Sequence, residues 1–396
     1  MSDIRFVTEN IKWIGTNDRT TELFEALWPL PDGVSYNSFL INDDKITIID
    51  TVKDSEIYNF LNKIQYVIKD NSVDYLIINH MEPDHSGAIK ALIKEYPDIT
   101  IIGNEKTLNY LEQFYGIKEN TKQISDGDEL SLGKHKLSFH LTPMLHWPET
   151  MMTFEKTEKV LFSGDAFGGF GTLEGGIFDD EVNLQFYEEE ICRYFTNIVA
   201  KYGPMVEKAI SKLENLDIKI IAPTHGPVWR SNPKQIISDY YRWGRQETKE
   251  GVVIVYGSMY GNTESVVDTI TRKLADNKIK NIKVYNISKT DVSYIISDIW
   301  KYNGLVLGSC TYNTRLFPPM EYLVAFLENK NIKNRVLGLF GSYSWSGKAL
   351  KRLKEFQQTT KLELIEPSIE FKSAPTKTDH ESCSTMAENL AKKVLK

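Results

Sequence analysis

Residues 80–85 read His80-Met81-Glu82-Pro83-Asp84-His85 and follow the apolar run Val73–Ile78. Four metal-capable side chains fall in this stretch, after a strand-like segment and ahead of a helix that can begin near Ser86, a suitable N-cap. On a helix His80 and His85 would lie about 140° apart at about 100° per residue, so they do not form the i, i+4 histidine pair of a zincin. Pro83 also breaks a helical reading. The hexapeptide is expected in a strand-to-helix loop that turns its donors inward.

Three further donors recur in the same context. His146 lies in Thr142-Pro143-Met144-Leu145-His146-Trp147-Pro148, Asp165 ends Leu161-Phe162-Ser163-Gly164-Asp165, and His225 lies in Ile220-Ile221-Ala222-Pro223-Thr224-His225-Gly226. Each is an apolar run that stops and presents one ligand. A lone loop histidine is ordinarily a hydrogen-bonding group. Here, however, four of the chain's 7 histidines occupy such positions, which sets them apart as a group. His135, His140 and His380 lack this context and are assigned no metal.

Around these loops the first 250 residues read as mixed β with helices between. Strands are expected at 37–42, 45–51, 74–79, 99–103, 136–142, 150–155, 159–163 and Ile218–Ala222, and helices at 54–69, 86–96 and 181–216. This suggests two sheets sandwiched by helices. The rhythm changes at Gly251. Val252-Val253-Ile254-Val255-Tyr256 has the β-branched density of a buried parallel strand. Strand runs at 282–287, 304–309 and 335–340 then alternate with amphipathic stretches at 263–276, 318–329 and 347–358, and a last helix is expected over 380–396. Strand–helix alternation reads as a doubly wound parallel sheet. The expected domains are 1–249 and 250–396.

In the second domain the loop Gly257-Ser258-Met259-Tyr260-Gly261-Asn262-Thr263-Glu264 follows the first strand and leads into a helix starting near Thr263. Backbone N–H groups, hydroxyls and a helix N-terminus suit one phosphate. Neither a Walker Gly-Lys-Ser/Thr nor a GxGxxG dinucleotide fingerprint is present, so a mononucleotide is indicated. Two more loops, Gly308-Ser309-Cys310-Thr311-Tyr312-Asn313 and Gly341-Ser342-Tyr343-Ser344-Trp345-Ser346-Gly347, follow later strands. In an open parallel sheet, ligands bind beyond the carboxyl ends of the strands, where these loops lie. Tyr312 and Trp345 could flank a flat ring there.

Composition narrows the class. The 396 residues suit two or three domains at roughly 100–200 residues each. The hydrophobic 41% and charged 26% are ordinary globular values. Three cysteines (Cys192, Cys310, Cys383), with no CxxC pair, exclude a disulfide scaffold, a cysteine-ligated zinc site and a fused iron–sulfur or rubredoxin centre. No apolar run is long enough to cross a membrane and no signal-peptide pattern opens the chain, so a cytoplasmic protein is expected. The net charge of −7 divides into −14 over residues 1–250 and +7 over 251–396. The first value argues against nucleic acid. The second favours an acidic protein partner.

The order HxExDH, then His146, Asp165 and His225, resembles the metallo-β-lactamase-like core of the flavodiiron proteins, and the three loops of the second domain resemble flavodoxin. Together the resemblance spans nearly the whole chain. It implies an N-terminal αββα sandwich and a C-terminal flavodoxin-like sheet. Zinc hydrolases of the superfamily usually carry HxHxDH, so Glu82 stands where a second histidine would be. Four imidazoles and three carboxylates without a thiolate favour iron.

By the motif, His80, Glu82 and His146 bind one non-haem iron; Asp84, His85 and His225 bind the other; and Asp165 bridges. FMN is expected against Ser258, Met259, Tyr260, Gly261, Asn262, Thr263, Ser309, Cys310, Thr311, Tyr312, Asn313, Ser342, Tyr343, Ser344 and Trp345. Tyr194 resembles the family's tyrosine beside the metals, with helix packing as the alternative. The implied activity is reduction of O2 to water, NO to N2O, or both. The implied partners are an acidic donor such as rubredoxin (or a reductase or deazaflavin) and a second copy of the chain in a head-to-tail homodimer or dimer of dimers. The competing reading is a zinc hydrolase of the metallo-β-lactamase class fused to a flavodoxin electron-transfer module.

Overall fold

Alternating apolar runs pair into two facing sheets in the first half of the chain. The computed structural model describes residues 4–396. Contacts divide the chain into Met1–Gly244 and Arg245–Lys396. In the first unit a seven-stranded sheet runs Arg5–Phe6, Ile11–Trp13, Phe39–Ile41, Thr47–Ile49, Tyr75–Ile77, Thr100–Gly103, Thr121–Gln123. A five-stranded sheet runs Glu129–Ser131, Lys136–Leu141, Met151–Glu155, Val160–Gly164, Ile220–Pro223. Their inner faces share one core. Phe39, Ile49 and Ile77 from the first sheet meet Phe139, Val160 and Phe162 from the second, with the Phe39 and Phe162 rings 5.3 Å apart. Each such side chain contributes roughly 1.5–3 kcal/mol by leaving water. The helices Ile57–Ile68, Glu105–Tyr115 and Gly203–Leu213 each bury one face only, as amphipathic helices flanking a sandwich do.

The second unit is a parallel sheet in the order Ile282–Asn286, Lys249–Gly257, Tyr302–Tyr312, Val336–Tyr343, Glu363–Lys372. Numbered along the unit this is 2-1-3-4-5, the flavodoxin order, which reverses direction between its first and third strands. The central strands are apolar on both faces and fully buried over Val252–Val255 and Leu305–Leu307, as parallel strands covered by helices require.

Several expected elements differ. The stretch 181–216 is not one helix but Leu184–Tyr194, a π turn at Phe195–Val199, a 3-10 turn at Ala200–Tyr202, and Gly203–Leu213, which has proline in its first turn. Pro83 does not exclude a helix. It opens the short helix Pro83–Ser86, where its missing N–H is harmless, and Ile89–Glu95 follows separately. Ser86 is not an N-cap; it ends that turn, its hydroxyl donating to the Met81 and Glu82 carbonyls at 2.9 and 3.0 Å. The helix after the first strand of the second unit begins at Val267, behind a 3-10 turn at Glu264–Val266, rather than near Thr263. Helix Val292–Lys301, absent from the expected elements, lies between strands Ile282–Asn286 and Tyr302–Tyr312 and is buried along most of its length.

The N-terminal segment around Thr20 and Thr21 is tied down by Asp18. This carboxylate accepts from the N–H groups of Thr20 and Thr21 at 2.8 and 3.0 Å and from both threonine hydroxyls. Burial alone would raise its pKa, but these donors hold it at about 2, against an ordinary 3.8. The folded pKa is the lower one, so the stabilisation is present above pH 3.8 and is lost as pH falls through about 2. Asp18→Asn is expected to cost about 1–2 kcal/mol at pH 7 in urea unfolding of the first unit. The gap from wild type should close as the pH is taken down to 2–3.

Candidate metal centre and flavin site

The metal-capable side chains converge at one end of the sandwich, because the strands carrying them stop there together. His80 follows Tyr75–Ile77, Asp165 follows Val160–Gly164, and His225 follows Ile220–Pro223, while His146 comes from the loop between Lys136–Leu141 and Met151–Glu155. Asn79 ties the two sheets at this edge. Its carbonyl accepts from Met151 N at 3.0 Å, and its side-chain oxygen accepts from the Thr153 hydroxyl at 2.7 Å.

Asp165 organises the cluster. Its Oδ2 lies 3.0 Å from His146 Nε2 and 3.6 Å from His80 Nε2. Its Oδ1 lies 2.9 Å from His85 Nε2 and 3.7 Å from His225 Nε2. Glu82 Oε2 closes the first group, 3.1 Å from His80 Nε2 and 3.2 Å from His146 Nε2. Asp84 Oδ2 closes the second, 3.4 Å from the Nε2 atoms of both His85 and His225. Two sets of donors able to surround an ion result: His80, Glu82, His146 and Asp165, and Asp84, His85 and His225. The bridging geometry of Asp165, one oxygen toward each set, is that of a dinuclear site.

Several polar atoms at the centre form no hydrogen bond despite these close approaches. Both carboxylate oxygens of Asp84, both nitrogens of His85 and Nε2 of His225 are buried without a hydrogen bond. Orphaned buried polar groups are costly unless something absent from the protein itself satisfies them. Charge agrees. Burial would lower the imidazole pKa values, yet Asp84 and Asp165 raise His85 to about 9 and Asp165 and Glu82 raise His146 to about 9. His80 is likewise raised well above its ordinary value, by Asp165, Glu149 and Glu82. Against burial, the imidazoles hold Asp165 and Glu82 well below the usual carboxylate range. The pocket gathers anionic oxygen and draws positive charge onto its nitrogens, a role that a pair of divalent ions fills. All seven side chains expected to bind metal thus lie together, and the donor set fits hard, redox-active metals.

Three buried residues that sequence reasoning missed stand behind the ligands. Asp50 accepts from Asn79 N at 2.7 Å and Nδ2 at 3.0 Å, and burial pushes its pKa up to about 6. Asn79 and Glu149 are the others. Asp50 ends an apolar strand just as Asp165 does, which was the available signal. Glu149 carried none beyond its nearness to His146.

An aromatic wall lines the second donor set. The rings of Phe24, Tyr36 and Tyr194 sit 5.3, 5.7 and 5.6 Å from His225. Tyr194 is fully buried, and its hydroxyl has no partner. Burial and the Asp165 carboxylate hold its pKa well above that of an ordinary phenol, so it stays protonated. A cavity of about 740 Å³, lined by Phe24, Tyr36, Lys53, Glu82, Asp84 and Phe114 among others, opens onto the cluster. Lys53 is held by Thr21, whose hydroxyl oxygen accepts from Nζ at 2.7 Å. The remaining histidines are engaged elsewhere: His135 with Asp43 at 2.8 Å, His140 with Ser138 at 3.0 Å and His380 with Thr269 at 2.8 Å.

In the second unit the three loops leave adjacent strands at their carboxyl ends and form one continuous edge. Ser258 Oγ accepts from Gly261 N at 3.1 Å. Gly261 has φ +90°, and nothing lies within 4 Å of where its Cβ would be, so this backbone faces open space. Thr263 and Ser342 are buried and join the first loop to the third through their hydroxyls at 2.7 Å. Ser309 is buried and donates to the Cys310 carbonyl, and Thr311 Oγ1 accepts from the N–H groups of Lys348 and Ala349. Asn313 and Thr314 turn the chain at φ +45° and +60°. Tyr260, Tyr312 and Trp345 are exposed large aromatics at this edge, 90%, 41% and 77% accessible. An open turn of N–H groups beside exposed rings suits a phosphate and a flat heterocycle, so the residues present fit FMN. Met259, Asn262 and Ser344 are exposed on the same loops, and Tyr343 is half-buried there.

A two-sheet sandwich with a dinuclear nitrogen–oxygen site, followed by a flavodoxin-order sheet, defines a two-module redox protein. Residues 34–226 match the family described as ODP family beta lactamase, and residues 254–385 match flavodoxin. The chain is 32% identical to a nitric oxide reductase of Moorella thermoacetica over all of both chains. It is 35% identical to an anaerobic nitric oxide reductase flavorubredoxin of Vibrio vulnificus over 88% of this chain and 71% of that one. The fold superposes on rubredoxin:oxygen oxidoreductase of Desulfovibrio gigas with a TM-score of 0.95 and 29% identity, covering 99% of this chain and 98% of that one. The chain belongs to the flavodiiron protein family.

Proposed function

We propose that this protein is an oxidoreductase that reduces O2 to water, NO to N2O, or both, at a pair of non-haem irons fed by FMN. The observation that carries this reading is Asp165 reaching both donor sets with different oxygens. His80, Glu82 and His146 would hold one iron and Asp84, His85 and His225 the other. The Ser258–Thr263 loop would hold the FMN phosphate, with residues 309–313 and 342–345 around the ring. When bound, a diferrous pair supplies two electrons and reduced FMN two more. That total matches O2 + 4e⁻ + 4H⁺ → 2H2O, and half of it matches 2NO + 2e⁻ + 2H⁺ → N2O + H2O.

The chain's own residues would bind the metals, wall the cavity and offer one hydrogen-bond donor. Asp165 and the two outer carboxylates neutralise most of the metals' charge. Phe24, Tyr36 and Phe114 give the entry cavity apolar walls suited to uncharged diatomic substrates. The Tyr194 hydroxyl, buried and unpartnered, is free to donate a hydrogen bond toward the site. Tyr194→Phe should lower turnover about tenfold, the worth of one such bond to a charged acceptor, with metal content and thermal stability unchanged. Stopped-flow assays alongside metal analysis check this.

The charge division of −14 and +7 supports a head-to-tail homodimer, or a dimer of dimers, in which unlike halves face each other, and it supports an acidic donor such as rubredoxin at the flavin half. Among the described residues no helix is long and apolar enough to cross a membrane, which supports a cytoplasmic site of action. The test is anaerobic reduction of iron- and FMN-loaded protein by rubredoxin, followed by O2 or NO. Consumption of either gas is the expected outcome. Natively purified protein that contains only zinc and consumes neither would favour the hydrolase reading instead.

A further inference from the structure

The four imidazoles are supported differently from behind. His80 Nδ1 lies 2.7 Å from Glu149 Oε1, which also accepts from Met81 N at 3.0 Å. Glu149 is buried, and its loop is pinned by Asn104, whose side-chain amide donates to the Glu149 carbonyl at 2.6 Å. The other carboxylate oxygen of Glu149 is buried with no partner. No other protein donor therefore offsets its charge on that side. His225 Nδ1, by contrast, meets a neutral acceptor, the Ser35 carbonyl, at 2.7 Å, and His85 Nδ1 is buried with none. Among the described residues, His80 alone of the four has a carboxylate at its outward nitrogen.

The inner ligands do not create this difference. Each position has two imidazoles, one carboxylate of its own and one oxygen of Asp165. A carboxylate bonded to a ring nitrogen falls on the His80 side only; Asp50, the other buried carboxylate behind the ligands, accepts from backbone and amide N–H groups of Asn79 and His80, and from no imidazole. A carboxylate behind a metal-bound imidazole fixes its tautomer and ring orientation and raises its basicity. A more electron-rich ligand set, in turn, favours the more oxidised metal.

We propose that Glu149 is a positioning residue that makes the two metal positions electronically unequal, so that the metal held by His80, Glu82 and His146 gives up its electron first. This rests on the reading of the site as a redox-active iron pair. Each step in a reductive titration takes one electron from dithionite through dye mediators and converts one ferric ion to ferrous, with no bond made or broken in the protein.

The test compares iron-loaded wild type, Glu149→Gln and Glu149→Asp by mediated titration with EPR of the half-reduced state. Glutamine keeps the size of the side chain and the Oε1 acceptor and removes only the charge. Wild type should show two separate one-electron steps. In Glu149→Gln the lower step should move up by about 59 mV, a tenfold fall in its oxidised-to-reduced ratio at a given potential for one electron, while the upper step stays in place. Glu149→Asp, which keeps the charge, should restore the separation. If both steps move together, if neither moves, or if aspartate fails to restore what glutamine changes, the inference is wrong. Should Glu149→Gln lose iron, calorimetric Fe(II) binding decides: weakening confined to one of two sites supports the inference, and equal weakening overturns it. Wild type that binds no iron pair overturns the underlying reading of the site instead.

Discussion

Asp165→Ala is expected to bind less than one iron per chain and to lose at least a hundredfold of its O2 and NO turnover, while the flavin unit keeps its FMN. Among the described residues, this carboxylate is the only side chain whose two oxygens reach both donor sets, at 3.0 Å from His146 and 2.9 Å from His85. Its loss removes a ligand from each position at once and takes a buried negative charge away from imidazoles whose protonated form it supports. Losing a partner outside the inner ligands already costs 10–100-fold in metal affinity, so loss of a shared ligand should exceed that. Metal analysis of the purified variant beside its flavin absorbance is the check. Two tightly held irons in this variant would show that the bridge is dispensable.

Gly308→Ala is expected to unfold the second unit at physiological temperature and release its flavin, with iron retained in the first. Gly308 sits opposite Phe340 on the neighbouring strand, and a Cβ there would lie 1.9 Å from the Phe340 ring. Phe340 is fully buried, so the ring has nowhere to swing. Overpacking a closed core costs roughly 1–3 kcal/mol, and more where neither chain can yield. The position is mid-strand between two paired neighbours, which puts it at the upper end. A second substitution, Phe340→Leu, should recover part of the loss, because the two changes compete for the same space. Separate thermal transitions and FMN fluorescence on the single and double variants report the effect.

The site was legible because metals demand particular side chains, and strand ends are easy to see in an apolar background. His80, Glu82, Asp84, His85, His146, Asp165 and His225 were each visible as a donor closing an apolar run, and the second sheet was visible as alternating strands and helices. Glu149 and Asn79 were not, since a side chain that acts on a ligand needs only a suitable acceptor atom in space, and many spacings provide one; Asp50 does close an apolar run, but no histidine neighbours it in sequence to mark it out. The break of the stretch 181–216 at Phe195–Val199 was hidden for a related reason. Its residues, Thr196 and Asn197 included, are all buried, and burial on every side erases the periodicity by which a helix shows its limits. The edge strand Glu363–Lys372 was missed as well. It carries Pro367 and a register shift against its neighbour, both tolerated at an edge and both unlike a strand in sequence.

The single turn Pro83–Ser86 has a consequence for how the centre can change over time. Glu82, at its start, faces one donor set, and Asp84 and His85, within it, face the other. The two halves of the centre are therefore geared to one rigid piece of backbone rather than mounted on separate arms. A shift that widens one half must disturb the other, so adjustment of this protein toward a different metal or substrate has to proceed through the surrounding shell, leaving that turn alone.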